Sequence, residues 1–400
     1  GPNAHRAEAL MGCYSFANHV LAHHPGLPLG FDIPTVFEGL GAAFGASGVE
    51  LPELRFVEGC SAEGDDTSGF AEAVSAVESS DVAVVVVGDD AGLFGRGTVG
   101  EGNDTESLEL PGVQRRLVDA LLATGTPVVL VLLTGRPYAV GWALDGPDGT
   151  EGRDDAAPRP SAVVQAFFPG EGGGLAVADV LVGRTNPSGR LPVSMPRAAG
   201  AQPYSYLHPR LGGPSDVTSA DPTPVRPFGF GLSYTTFEYT DLEVSPSVDA
   251  GGAFTAAVTV TNTGTVSGVD VVQLYGHDVV GSVARPLVQL LGYARTHLEP
   301  GQSRRLELTV PTARLAFSDR RMVRVVEPGD VEVWFGAHSA ASRRASTTGD
   351  STGGAITNVR ATGGTELPGA ATARHRIVVT GDVYEVTPAD ARLVSVRVVA

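Results

Sequence analysis

Three short, mostly apolar runs organise the first half of the chain: Val82 to Gly88, Pro127 to Leu133 and Ala162 to Phe168. Runs this short, apolar at nearly every position and rich in valine, predict strands covered on both faces. The stretches between them carry apolar residues at helical spacing instead. Ala71 to Val77 follows Asp65-Asp66-Thr67-Ser68, a helix-start signal, and Pro111 opens a second helix with Val113, Leu117, Leu121 and Leu122 on one face. Gly135-Arg136-Pro137 marks a turn into a further helix, Pro169 to Gly174 is another turn, and Leu175 to Val182 is a last helix. Strand alternating with helix predicts an α/β three-layer sandwich with a mostly parallel sheet over residues 1–197. Gly1-Pro-Asn-Ala reads as the loop that leaves a strand, so the first strand of this domain is expected to be missing.

The pattern changes after residue 197. Residues 198–235 are rich in Pro, Gly, Ser and Tyr and read as a linker packed on the surface. From 236 to 400, short segments alternate apolar and polar positions between turn residues. They are Phe254 to Asn262, Val269 to Tyr275, Leu287 to Thr296, Ser303 to Val310, Val331 to Gly336 and His375 to Thr380. This predicts an all-β sandwich. Residues 338–372, dominated by Ser, Thr, Gly and Ala, read as a flexible insertion before the last of these strands.

Charge narrows the partners. The net charge of −17 repels nucleic-acid phosphates and anionic membrane surfaces, so neither nucleic acid nor membrane is expected as a partner. Every one of the 28 basic residues is Arg, which excludes a lysine Schiff base. Cys13 and Cys60 are too few for a disulfide framework and are expected to be two buried thiols. The His residues show no metal-ligand spacing; His23 and His24 are adjacent, so their side chains diverge. The glycine-rich runs lack the Gly-Lys-Ser/Thr ending of a phosphate loop. No metal and no cofactor are expected.

Candidate chemistry concentrates in the loop after the Val82–Gly88 run. There Gly95-Arg-Gly-Thr-Val-Gly-Glu101-Gly-Asn-Asp104 holds Glu101 between Gly100 and Gly102. Glycine on both sides lets the backbone bend sharply and another molecule come close. The carboxyl end of a strand is also where α/β domains bind ligands. An ordinary loop acid is the plain alternative. Phe94 and Arg96 precede Glu101. A ring can cover sugar C–H faces while a guanidinium donates to hydroxyls, or the two simply pack the loop and charge the surface. Asp89-Asp90 either caps a turn or meets sugar hydroxyls. Glu106, and Glu171 in Pro169-Gly-Glu-Gly-Gly, are expected near the N-termini of the helices that follow them, where the dipole favours negative charge.

Taken in order, the motifs resemble glycoside hydrolase family 3, the β-glucosidase and β-xylosidase group. They are Gly1-Pro-Asn-Ala, Gly100-Glu-Gly-Asn-Asp104, Leu108-Glu-Leu-Pro-Gly-Val-Gln114, Gly135-Arg-Pro137, Phe168-Pro-Gly-Glu171-Gly, Asn186-Pro-Ser-Gly-Arg-Leu-Pro192 and Pro227-Phe-Gly-Phe-Gly-Leu-Ser-Tyr234. Val260-Thr-Asn-Thr-Gly264, Val272-Gln-Leu-Tyr275, Leu298-Glu-Pro-Gly301 and Val326-Glu-Pro-Gly329 continue the set. The resemblance implies the family's α/β sandwich followed by its fibronectin-III-like domain. No residues match the family's (β/α)8 barrel or its Ser-Asp-Trp nucleophile motif; Trp142 and Trp334 lie elsewhere.

Retaining glycoside hydrolysis needs two carboxyl groups roughly 5–5.5 Å apart, one as nucleophile and one as acid, then base. The acid has to hold its proton until attack. The resemblance implies Glu101 as that general acid/base, with Glu106 as the alternative; Phe94, Arg96 and Asp104 are the expected substrate-binding residues. Thr105 departs from the family's common arginine after the aspartate and bears on Asp104's role. The implied partners are a β-linked oligosaccharide or aryl glycoside, and a (β/α)8 barrel domain in cis or trans. The rival readings are a non-catalytic carbohydrate-binding or scaffold protein and one half of a split enzyme. Arg190 and Arg226 read as residues of interdomain joints, Tyr234 and Phe237 as residues packed into the sandwich, and Tyr204-Ser-Tyr206 as packed linker.

Overall fold

The computed structural model describes residues 1–20, 24, 26–45, 53–144, 158–199, 205–213, 219, 222–340 and 368–399. The chain divides into two compact units: Gly1–Thr185 with Met195–Gln202, and Asn186–Ser194 with Pro203–Ala400. The boundary expected at 197 and the linker expected over 198–235 differ from this division. Asn186 explains the earlier changeover: its side chain donates to Ser267 O (2.9 Å) and accepts from Tyr234 N (2.8 Å), both in the second unit.

The first unit is built on parallel strands β1 (Ala83–Gly88), β2 (Val128–Leu133) and β3 (Ala162–Gln165), hydrogen-bonded in that order. Its α-helices among the described residues are α1 (Val36–Gly45), α2 (Phe70–Glu78), α3 (Gln114–Leu122), the single turn α4 (Gly141–Leu144) and α5 (Gly173–Leu181). Val86, Val131 and Leu133 on one face of the sheet pack with Val36 and Leu40 of α1 and Val177 and Ala178 of α5. Alternation sends the buried Val85, Val87, Leu130 and Leu132 to the other face. On β1 lies α3, with α2 against it. At the start of α1, the Thr35 N–H donates to Glu38 Oε2 (2.9 Å) while Glu38 N–H donates to Thr35 Oγ1 (3.2 Å), a reciprocal cap. The Thr35 backbone bond, then its hydroxyl, holds Glu38 below the ordinary carboxylate range.

Three boundaries differ from expectation, each for a local reason. Asp66 accepts from Ser68 N–H (2.9 Å) and so closes a turn rather than capping α2, which begins at Phe70. Pro111 does not open α3, because Gly112 takes a left-handed φ of 58° and the helix starts at Gln114. Strand β3 stops at Gln165, and Phe167 at φ 54° turns the chain away. Both thiols are free; Cys60 is buried and its pKa is raised by that burial, whereas Cys13 is only half-buried.

Helices α1 and α5 meet backbone to backbone. A Cβ on Gly174 would lie 2.0 Å from Pro34 O, and one on Gly39 would lie 2.5 Å from Gly174 O.

The second unit is a β-sandwich of twelve strands among the described residues: β4 (Phe237–Val244), β5 (Ser247–Asp249), β6 (Ala253–Asn262), β7 (Gly268–Asp278), β8 (Gln289–Leu298), β9 (Ser303–Pro311), β10 (Phe317–Ser318), β11 (Arg324–Val326), β12 (Gly329–Gly336), β13 (His375–Thr380), β14 (Tyr384–Glu385) and β15 (Ser395–Val399). One sheet runs β5-β13-β12-β7-β8, the other β15-β9-β6-β4, and β10-β11-β14 form a small third sheet. The alternation read from the sequence fills the space between them. Phe254, Val258, Val272, Leu274, Leu291, Leu306, Leu308, Val333 and Phe335 form one buried cluster.

The motif at 227–234 packs on β7: Gln273 Nε2 donates to Gly229 O (3.1 Å), and a Cβ on Gly229 would lie 2.2 Å from Gln273 Oε1. Phe237 packs against the core as expected, but Tyr234 is half exposed, and its backbone N–H donates to Asn186 Oδ1. Arg190, expected at an interdomain joint, instead pairs with the buried Asp270 (2.9 Å) inside this unit, and Tyr239 Oη donates to the same carboxylate (2.7 Å). Arg226 lies over the Phe230 ring at 5.4 Å, and Tyr206 stacks on Phe228 at 4.1 Å. The ends of the expected 338–372 insertion are tied together by Ala337 N–H to Ala370 O (2.8 Å) and Thr372 N–H to Phe335 O (2.9 Å). Its middle and Tyr204 lie outside the described residues.

Two measurements test this packing. Gly174→Ala should lower stability by about 1–3 kcal/mol, since the methyl meets immovable carbonyls; an unchanged denaturation midpoint would contradict the close approach. His338 is buried, and that burial, followed by the Arg190 guanidinium, pushes its pKa down from 6.5 to about 4. The unfolded chain therefore binds the extra proton first. Stability from neutral His338 is present above pH 6.5 and is lost as pH falls toward 4, by roughly 3 kcal/mol over the window. His338→Gln should flatten the pH dependence of urea denaturation across that range; an unchanged slope would assign it elsewhere.

Candidate active site

The loop carrying Glu101 leaves the carboxyl end of β1, and its foundation is the Asp89 carboxylate. Asp89 is fully buried. It accepts from Thr98 Oγ1 (2.6 Å), Tyr138 Oη (2.5 Å) and Gly135 N–H (2.9 Å). A buried carboxylate needs donors of this kind to offset lost hydration. Burial first, and Asp89 second, hold the Tyr138 phenol protonated far above its ordinary range. Asn3 Nδ2 donates to Asp89 O (3.2 Å) from the N-terminal turn. Beneath the loop, Gln114 ties the first residue of α3 to the end of β1, accepting from Gly88 N–H (2.8 Å) and donating to Gly88 O (2.7 Å).

Above that base the loop forms a narrow ribbon in which residues 90–94 and 98–101 run side by side in the same direction. Gly92 N–H donates to Val99 O (2.9 Å), Thr98 N–H to Asp90 O (2.8 Å) and Phe94 N–H to Glu101 O (2.8 Å). Asn103 pins the ribbon from below, its buried amide donating to Gly92 O and Arg96 O, each at 3.0 Å. In turn Arg136 Nη2 donates to Asn103 O (2.7 Å). The glycines flanking Glu101 are both required. Gly100 adopts φ 127° and a Cβ there would lie 1.9 Å from Gly92 O; Gly102 adopts φ 75°. The ribbon is thus stitched along its length.

Glu101 is exposed at the tip of this ribbon, and the Tyr14 hydroxyl donates to its Oε2. Phe94 is 72% exposed and sits across the ribbon from Glu101 in a left-handed conformation, φ 55°. Arg96 lines a pocket of about 370 Å³ together with Arg6, Glu8, Asn18, Glu63 and Asp90. At its edge Arg6 pairs with Asp90 at 2.6 Å. Asp104 is exposed beyond Asn103. The ribbon therefore brings Phe94 and Glu101 side by side, places Arg96 in the pocket wall, and leaves Phe94, Glu101 and Asp104 outside that wall.

Family-model matches give the pattern a name. Residues 1–234 match the glycosyl hydrolase family 3 C-terminal domain, and residues 270–339 a fibronectin type III-like domain. The chain belongs to glycoside hydrolase family 3. Among its relatives are a β-xylosidase of Formosa agariphila, 36% identical over 85% of this chain and 44% of its own, and a periplasmic β-glucosidase of Salmonella typhimurium, 37% identical over 69% and 35%. A solved structure of a β-glucosidase involved in saponin metabolism from intestinal bacteria superposes with a TM-score of 0.71 at 31% identity. That superposition covers 85% of this chain and 48% of that one. The family 3 chain thus spans less than half the length of these relatives.

The other acids weighed as candidates take different positions in this family 3 chain. Asp89 is buried and satisfied, and Asp90 is paired with Arg6. Glu106 does not reach a helix N-terminus: α3 starts at Gln114 and has no acid in its first turn, because the Gly112 turn intervenes. Glu171 immediately precedes the N-cap of α5, Gly172, and is exposed. Thr105 Oγ1 donates to Ser107 O (2.8 Å) and closes a local turn. Tyr14, Asn103, Thr98 and Tyr138 were not singled out from the sequence. Their partners lie up to 87 residues away, and no spacing signal encodes that.

Asp89→Asn should lower stability by about 1.5–3 kcal/mol, because an amide cannot accept from three donors as a carboxylate does. Wild-type stability in that variant, by chemical denaturation, would remove Asp89 as the foundation of the loop.

Proposed function

We propose that this chain supplies the general acid/base, Glu101, of an exo-acting retaining β-glycosidase that hydrolyses terminal β-linked glucose or xylose from a β-linked oligosaccharide or aryl glycoside. The observation that carries this reading is a solvent-facing carboxylate on a ribbon otherwise fixed at every turn, in a family 3 domain. A nucleophilic carboxylate from a (β/α)8 barrel domain, in cis or in trans, attacks the anomeric carbon. The glycosidic C–O bond breaks and Glu101 gives its proton to the leaving oxygen. Glu101 then takes a proton from water, whose oxygen replaces the carboxylate of the glycosyl ester. Phe94 offers a ring face to sugar C–H groups, while Arg96 and Asp104 meet hydroxyls. The reaction needs no cofactor.

The test uses the chain joined to, or mixed with, the barrel. Glu101→Gln should lower kcat/KM for aryl β-glycosides with poor leaving groups by roughly 10²–10⁴-fold and spare strongly activated ones. Full turnover by Glu101→Gln on every substrate would assign the acid/base elsewhere. Sugar binding without any turnover would favour a carbohydrate-binding protein.

A further inference from the structure

A second segment meets the tip of the Glu101 ribbon. The turn at Met11–Ser15 is held by Asn18, whose amide donates to Met11 O (2.7 Å) and Glu8 O (3.2 Å), and by Ser15 N–H to Gly12 O (3.0 Å). Leu10, fully buried, ties the segment down by accepting from Gly170 N–H (2.9 Å). The turn then touches the ribbon at two consecutive positions. Cys13 lies against Gly100, where a Cβ would come within 2.8 Å of the Cys13 Cβ, and the Tyr14 hydroxyl donates to Glu101 Oε2. Glycine at position 100 is what allows this approach. The Tyr14 ring is itself buttressed edge-on by His19, with centroids 5.8 Å apart.

From this geometry, and resting on the acid/base reading of Glu101 above, we propose that Tyr14 is a positioning residue for the acid. It occupies one carboxyl oxygen, Oε2, and so commits the other, Oε1, to the proton. In the first half-reaction the Oε1–H bond breaks and the proton passes to the glycosidic oxygen. In the second, Oε1 accepts a proton from the attacking water while the Tyr14 bond persists. An exposed carboxylate on a glycine-flanked turn has many rotamers; a fixed donor on one oxygen selects those that aim the other outward. Water competes for Glu101 while the tip is open. The hydroxyl gains weight when a bound glycoside displaces that water, since a hydrogen bond strengthens in a drier site.

Two measurements test this, one independent of turnover. In the chain with tyrosine labelled by ¹³C at Cζ, Glu101→Gln should shift one resonance, the one that Tyr14→Phe removes; no response at that resonance would overturn the contact. In the enzyme formed with the barrel, Tyr14→Phe should lower kcat/KM by roughly 10- to 100-fold for phenyl-type leaving groups and by less than about 3-fold for dinitrophenyl ones, the signature of a lost charge-assisted bond that acts only through proton donation. Tyr14→Leu should behave like Tyr14→Phe if the hydroxyl is what matters. A uniform fall across the leaving-group series, or none, would overturn the inference while leaving Glu101 in its role, provided Glu101→Gln shows the selective loss. If Glu101→Gln shows none, the acid/base reading fails, and the role of Tyr14 with it.

Discussion

A buried carboxylate governs the working end of the first unit. Asp89 stands where β1 ends and the Glu101 ribbon begins, with no contact to solvent. Removing such a charge from water is unfavourable unless donors replace the lost hydration, and here they come from separate places: Thr98 in the ribbon, Gly135 and Tyr138 beyond β2. Satisfying one side chain therefore obliges two distant loops to converge. The convergence also closes the apolar layer, because Gly135 has no side chain and lets Val99 and Phe168 come against its backbone.

The ribbon resolves two demands that conflict in a simple loop. A general acid must be open to a sugar, yet it must not wander. Openness comes from position: Glu101 is exposed, and its neighbours Gly100 and Gly102 adopt conformations that few other residues reach. Constraint comes from below, where Asn103 binds the carbonyls of the ribbon and Arg136 binds Asn103. Polar residues below the ribbon thus carry much of the burden of placing Glu101, the proposed acid. In the second unit the same logic recurs without an exposed group. Asp270 is buried and gathers Arg190 and Tyr239, so the Asn186–Pro192 motif is held by a charge inside the sandwich.

Much of the architecture was legible in the chain. The valine runs at 82–88 and 127–133 became β1 and β2 with ends shifted by a single residue, and His375 to Thr380 became β13 unchanged. Continuous or alternating apolar patterns report burial directly, and burial is what decides a strand. Boundaries were less legible where one residue's conformation overrode a signal. Gly112 delayed α3 past Pro111, Phe167 cut β3 short, and Asp66 spent its cap on a turn. The small strands β10, β11 and β14 and the edge strands β4, β5 and β15 were not anticipated, since segments this short or this exposed carry little apolar pattern.

The same distinction runs through the candidate site. Local chemistry singled out Glu101, because a carboxylate between two glycines after a buried strand is written in consecutive residues. Sequence also carried family membership, through the order of its motifs. What surrounds Glu101 was decided only when the chain folded. Asp89 could not be known as an internal anchor, nor Tyr14 as the donor beside the acid, because each depends on partners brought in from distant loops. Periodicity encodes which face of an element is apolar; it holds no record of which polar side chains meet once those faces are buried. That pairing is set by the path of the backbone, and by the requirement that each buried polar group find a partner.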